Sequence, residues 1–147
     1  MTALTQDRNT QYSLGDLLSI PVAGSTCIYA GALVCTNASG YAVPAADTAG
    51  LVFEGVATAR ADNSTGSDGD VNVVVRRRGR YLLDYDGSLT QEAVSAKVYA
   101  VDDHTVDAAN GVSNNVLVGV VDSIEGTGEA WGSIDVAVLS GKAWNEP

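Results

Sequence analysis

Histidine occurs once in these 147 residues, phenylalanine once, cysteine twice and proline three times. Each shortage removes a class of function. A single His104, with Cys27 and Cys35 spaced unlike the usual ligand pairs, leaves no zinc set. Two thiols make no disulfide framework, so buried free cysteines are expected ahead of a single bridge. No apolar run reaches the ~18 residues of a membrane span, so no membrane partner is expected. The opening Met-Thr-Ala-Leu-Thr-Gln-Asp lacks the basic and apolar regions of a signal peptide, so the chain is expected to stay in the cytoplasm where it is made. Cations are scarce as well, 8 Lys and Arg against 18 Asp and Glu, a net charge of −10 that repels polyanions.

What is present suits short strands. Hydrophobic residues make up 46% of the chain and aromatics only 6%, with 16 glycines and much Val and Ala. Short apolar runs bounded by Gly, Asn, Asp, Ser or Pro fall at 17–22, 26–29, 32–35, 41–43, 51–57, 71–76, 80–83, 97–101, 105–106, 116–121 and 134–139, all of strand length. Alternation is clearest in Ile134-Asp135-Val136-Ala137-Val138-Leu139. One short helical stretch fits near 88–95, where Ser88-Leu89-Thr90-Gln91 has the form of a capping box. Residues 1–16 are polar and without periodicity and read equally as an extended arm or a frayed terminus; 141–147 form a tail.

Sliding the chain on itself reveals a repeat. At an offset of 64, Ala32 meets Ala96, Val34 meets Val98, Val52 meets Val116, Gly55 meets Gly119 and Val56 meets Val120; after a one-residue slip, Gly69 meets Gly132, Val73 meets Val136 and Val75 meets Val138. Two similar copies, about 32–75 and 96–139, would enclose a shared core. The expected fold is all-β: a small barrel or sandwich over 17–140 built from two similar halves. Mid-strand Gly55 and Gly119 are expected to mark a bulge or bend.

Few residues suggest chemistry. His104, within Asp102-Asp103-His104-Thr105, reads as a hairpin turn ahead of a metal or catalytic cluster. The oxygen-rich stretch 62–70 lacks the acidic residue that closes an EF-hand loop and reads as a solvated turn. No glycine loop of a phosphate-cradling type occurs, and neither a catalytic constellation nor a cofactor is expected. Arg76-Arg77-Arg78-Gly79-Arg80 is the sharpest feature. On an extended strand Arg76 and Arg78 face one way and Arg77 the other. With no aromatic interleaved and an acidic surround, a contact to an acidic protein or a neighbouring subunit is preferred over strand-edge protection or nucleic acid. Tyr81, Tyr85, Trp131 and Trp144 add interface potential, Trp131 in an expected loop and Trp144 in the tail.

The strand 96–103, Asn115-Val116-Leu117-Val118-Gly119-Val120-Val121 and the final alternating strand resemble the closing region of the small all-β decoration proteins of tailed-phage capsids, and 32–34, 51–57 and 71–75 look similar to their first half. That resemblance implies a non-enzymatic cement protein, often a homotrimer, on the outer capsid surface with the major capsid protein as partner. Thr5, Asp7, Arg8 and Tyr12 in the arm, with Arg76, Arg77, Arg78, Arg80, Trp131 and Trp144, are the expected contacts. The alternative is a carbohydrate-binding or adhesion module.

Overall fold

The computed structural model describes residues 3–126 and 128–136. It is all-β. Seven strands come first: β1 (Leu17–Pro21), β2 (Thr26–Ile28), β3 (Leu33–Thr36), β4 (Ala42–Pro44), β5 (Val52–Ala57), β6 (Ala61–Asn63) and β7 (Asn72–Arg76). Five follow: β8 (Arg78–Tyr85), β9 (Lys97–Ala100), β10 (Thr105–Asp107), β11 (Leu117–Ile124) and β12 (Glu129–Asp135). Two 3-10 turns, Gln91–Ala93 and Ala109–Gly111, interrupt the strands. The capping box is not used: Thr90, not Ser88, precedes the first turn, and no side chain caps it.

Strands β1-β7-β5-β3-β4 form one sheet, β10-β8-β12-β11-β9 a closed barrel, and β2-β6 a separate hairpin pair. The two larger sheets have one topology, with β1, β3, β4, β5 and β7 in the places of β8, β9, β10, β11 and β12. Their registers agree at the offset of 64. Val34 faces Gly55 as Val98 faces Gly119, and Cys35 faces Phe53 as Tyr99 faces Leu117, with an irregularity at the same point of each ladder. Single hydrogen bonds also match: Ala57 N–H donates to Ala32 O (2.9 Å) as Val121 N–H donates to Ala96 O (3.0 Å). Asn37 N–H to Tyr41 O and Val101 N–H to Thr105 O, both 2.9 Å, close matching hairpins.

The closing strands depart from the register read in the sequence. Val56 pairs with Arg76 and Val120 with Ser133, so pairing matches Arg76 to Ser133, 57 positions apart, rather than Val75 to Val138. The first half inserts β6 and its turn before its closing strand. That insertion pairs with β2 and buries Ile28 and Ala61 beside the first core. The last strand therefore starts earlier than 134; 137–139 lie outside the described residues.

Gly55 and Gly119 are explained by close approach. A Cβ at Gly55 would abut the Arg76 carbonyl, and one at Gly119 the carbonyl of its matched residue Ser133. Either position with a side chain would push the closing strand away.

The opening strands match at 63, Ile20 with Leu83 and Val22 with Tyr85. In the second half, β10 runs parallel to β8 through Thr105–Asp84 and Val106–Tyr85 and closes the barrel. In the first, a single parallel bridge, Val22–Ala42, spans the same seam. The reason is one residue. Asp84 N–H donates to His104 O (3.3 Å), and the matched position holds Pro21, which has no N–H to give.

One core lies within the first half, around Val22, Val34, Val73 and Val75. A second fills the barrel with Val98, Val106, Val118 and Val121, and extends to Leu33, Cys35, Phe53 and Val56 of the first half. Backbone bonds cross as well, Leu33 N–H to Asp103 O (2.7 Å) and Val136 N–H to Arg77 O (2.9 Å). Both cysteines are free; Cys35 is buried, with Cys27 only half-buried. Burial, then the charge of Glu54, pushes the Cys35 thiol up to about 12, which keeps it an inert neutral packing group.

Candidate functional site

Residues 3–16 form no strand and are exposed throughout, including the expected contacts Thr5, Asp7, Arg8 and Tyr12. Their apolar members lie open: Tyr12 is 85% and Leu14 75% exposed. The segment joins the body at Asp16, whose carbonyl accepts from Arg77 N–H (2.8 Å) and whose carboxylate meets Arg78 Nε at 3.1 Å.

The arginine run is largely occupied by its own chain. Arg76 ends β7, Arg77 links it to β8, and Arg78 opens β8. Arg77 turns the opposite way to its exposed neighbours and meets Glu54 at 3.8 Å, with its buried Nε making no hydrogen bond. Arg80 Nε donates to Asp122 Oδ2 at 2.8 Å and its guanidinium to Ser123 Oγ at 3.2 Å. Arg76 alone of the four has no carboxylate partner among the described residues.

Trp131, expected in a loop, sits in the middle of β12 opposite Leu82 of β8. The Arg80 guanidinium lies 5.1 Å from the centre of its ring, and its indole N–H donates to Glu125 Oε2 (3.1 Å). Asp122 anchors the assembly; the Ser133 hydroxyl and Arg80 hold its carboxyl below the usual range against partial desolvation. The result is a Trp–Arg–Leu patch held in one geometry before any partner arrives. Tyr85 is buried at the barrel seam and Tyr81 packs half-buried against the core, so neither is a surface anchor. Trp144 lies outside the described residues.

Sequence reading missed Leu82, Val74 and Leu17, exposed apolar residues on the outward faces of β8, β7 and β1. The signal was there in the strand period: Leu83 and Tyr85 point inward, which places Arg80, Leu82 and Asp84 outward.

His104 sits at the tip of the β9–β10 hairpin, matched to Gly40 of the β3–β4 turn, so the position belongs to the repeated turn. Its Nδ1 lies 3.0 Å from Asp103 and 3.1 Å from Asp102, and its Nε2 3.8 Å from Asp84. The Asp103 hydrogen bond and then the Asp102 charge raise its pKa above the ordinary value. Asp102, partly desolvated, is nonetheless held low by hydrogen bonds from His104 and Thr105. Among the described residues, Asp102, Asp103 and His104 are the group whose possible ligand atoms come within 4.8 Å of one another. Asp102 Oδ1 already accepts the N–H groups of His104 and Thr105 as a turn acceptor. Beside it lies a shallow depression of about 170 Å³ lined by Tyr29, Gly31, Ala32, Asp103 and His104 among others.

The 62–70 turn spends its oxygens on its own backbone. Asp68 Oδ1 accepts from Gly24 N–H (2.7 Å) and Asp70 Oδ2 from Ser67 N–H (2.8 Å). Asn63, buried beneath, donates to the carbonyls of Val22, Ala23 and Ser67.

No protein-family model and no curated protein matches this chain. The surface itself carries the functional argument. It offers an exposed polar arm carrying Leu4, Tyr12 and Leu14, a preset Trp–Arg patch, and a hairpin tip whose titratable groups answer one another.

Proposed function

We propose that the chain is a non-enzymatic structural protein of a tailed-phage capsid, a decoration or cement subunit that binds the outer surface of the major capsid shell. It would act as a homotrimer, be made in the host cytoplasm and be carried on the virion. The observation that supports this most is the arm. Leu4, Tyr12 and Leu14 stay in water on a segment that leaves a well-packed β body, apolar area left free for a partner surface. The chain, at a net charge of −10, is repelled by packaged DNA, which favours the outside of a shell. Three arms on one trimer would bind together, so modest contacts gain from effective concentration and resist expansion of the shell. A glycan-binding module ranks second, because one face of its best platform, Trp131, lies under Arg80 and its N–H is taken by Glu125.

The test is co-sedimentation with expanded shells of its own virus. Binding should saturate at a fixed ratio and weaken on the order of tenfold or more when Tyr12 and Leu14 are both changed to Ser. A chain that leaves the shells bare overturns the reading and sends attention to a glycan array, where retention lost on Trp131→Ala would establish the alternative.

A further inference from the structure

The duplication places two matched two-stranded faces on the molecule. In the first half, the outward side chains of β1 and β7 are Leu17, Ser19 and Pro21 opposite Arg76, Val74 and Asn72. In the second, those of β8 and β12 are Arg80, Leu82 and Asp84 opposite Ser133, Trp131 and Glu129. Position for position they are one surface, and they have diverged in charge. The first carries no carboxylate and holds Arg76, which has no ion-pair partner among the described residues. In the second, Arg80 is already held by Asp122, whereas Asp84 and Glu129 stand directly opposite each other on adjacent strands. Like charges so placed destabilise a sheet unless a cation comes between them, and His104, 3.8 Å from Asp84, answers only one.

We infer that these faces bind each other between copies of this chain, the β1–β7 face of one against the β8–β12 face of the next. Arg76 approaches Asp84 and Glu129, while Val74 covers Leu82 and Trp131. Aligned end to end, the second face against itself would gather four carboxylates and the first against itself two arginines; reversed, the second face offers its carboxylates only Arg80, which Asp122 already holds, so the unlike pairing is the favoured one. A contact between unlike faces is heterologous and makes a ring when its rotation closes. The homotrimer proposed above is such a ring; only the ring size rests on that reading. Strands about 4.8 Å apart and five residues long at about 3.3 Å each give a footprint of about 160 Å² per face, far below the ~800 Å² per partner of a standard interface, so single contacts are weak. A ring helps because every copy then makes two of them.

Sedimentation equilibrium of the full chain from micromolar to millimolar concentration, without shells, tests this. The wild type should reach one oligomer of fixed mass, with association weakening as salt rises. Arg76→Glu should reduce the association constant at least tenfold, and Asp84→Lys with Glu129→Lys should do the same. All three substitutions in one chain reverse both faces and should restore the oligomer. These side chains are exposed, and an unchanged circular dichroism spectrum and melting temperature would show that the fold is kept. A wild type still monomeric at millimolar concentration, a mass that stops at the dimer, or an Arg76→Glu chain that associates normally overturns the inference. A ring that ignores shells leaves it standing and overturns only the capsid reading.

Discussion

His104 stands among Asp84, Asp102 and Asp103 on an exposed hairpin tip, and its charge can be set from outside. Its folded pKa lies above the ordinary 6.5, so the folded state binds the proton more tightly than the unfolded chain does. The stabilisation is therefore complete below about 6.5 and is lost as pH rises through the raised folded value. His104→Gln removes the charge but keeps a polar side chain on the turn. In urea unfolding across pH, the wild type should be the more stable of the two on the acid side while the carboxylates remain ionised, and the curves should merge in mild alkali. Parallel curves throughout would mean that the three carboxylates do no more for imidazolium than water does. Exposure of the hairpin and screening by salt keep the effect small.

At the level of elements, the two halves differ most at the seam between opening strand and returning hairpin. Ala23 N–H donates to Ala42 O (3.0 Å) as Asp86 N–H donates to Val106 O (2.9 Å), but only the second half adds the Asp84 to His104 bond beside it. The first seam has Pro21 there and should open more often. In native-state hydrogen exchange, Ala23 should exchange on the order of tenfold faster than Asp86, and equal rates would show that packing rather than the missing N–H governs the seam. Strand positions and the offset of 64 were legible in the sequence because Val34 with Gly55 and Val98 with Gly119 obey one steric rule, a glycine where the closing strand's carbonyl crowds in. The closing strand β12 was placed too late because its inward residues before Ile134, Ala130 and Gly132, are too small to read as an apolar run. β6 was missed because Ala61-Asp62-Asn63 looks like turn sequence and is a strand only through pairing with β2. The surface was least legible. Arg80 finds Asp122 forty-two positions away, and no local pattern tells an arginine already held by its own chain from one, such as Arg76, left open to a partner.

For the molecule as a whole, what matters is whether two matched halves fold as two units or one. Their cores are not equivalent. The first half has its own cluster, but the barrel's cluster takes in Leu33, Cys35, Phe53 and Val56 from the first, and Phe53 is the largest side chain contributed across that boundary. Phe53→Ala should cost about 3–5 kcal/mol, the usual range for emptying a buried phenylalanine site. Because its cavity opens into the shared cluster, the loss should fall on both halves. The matched amides of Ala57 and Val121, each bonded across its own ladder at 2.9 and 3.0 Å, report the halves separately. Under conditions where both exchange by global unfolding, Phe53→Ala should reduce their protection by the same factor, the signature of one cooperative unit. Loss at Ala57 with Val121 unchanged would show instead that the barrel holds without its neighbour, and that duplication here joined two domains without fusing their folding.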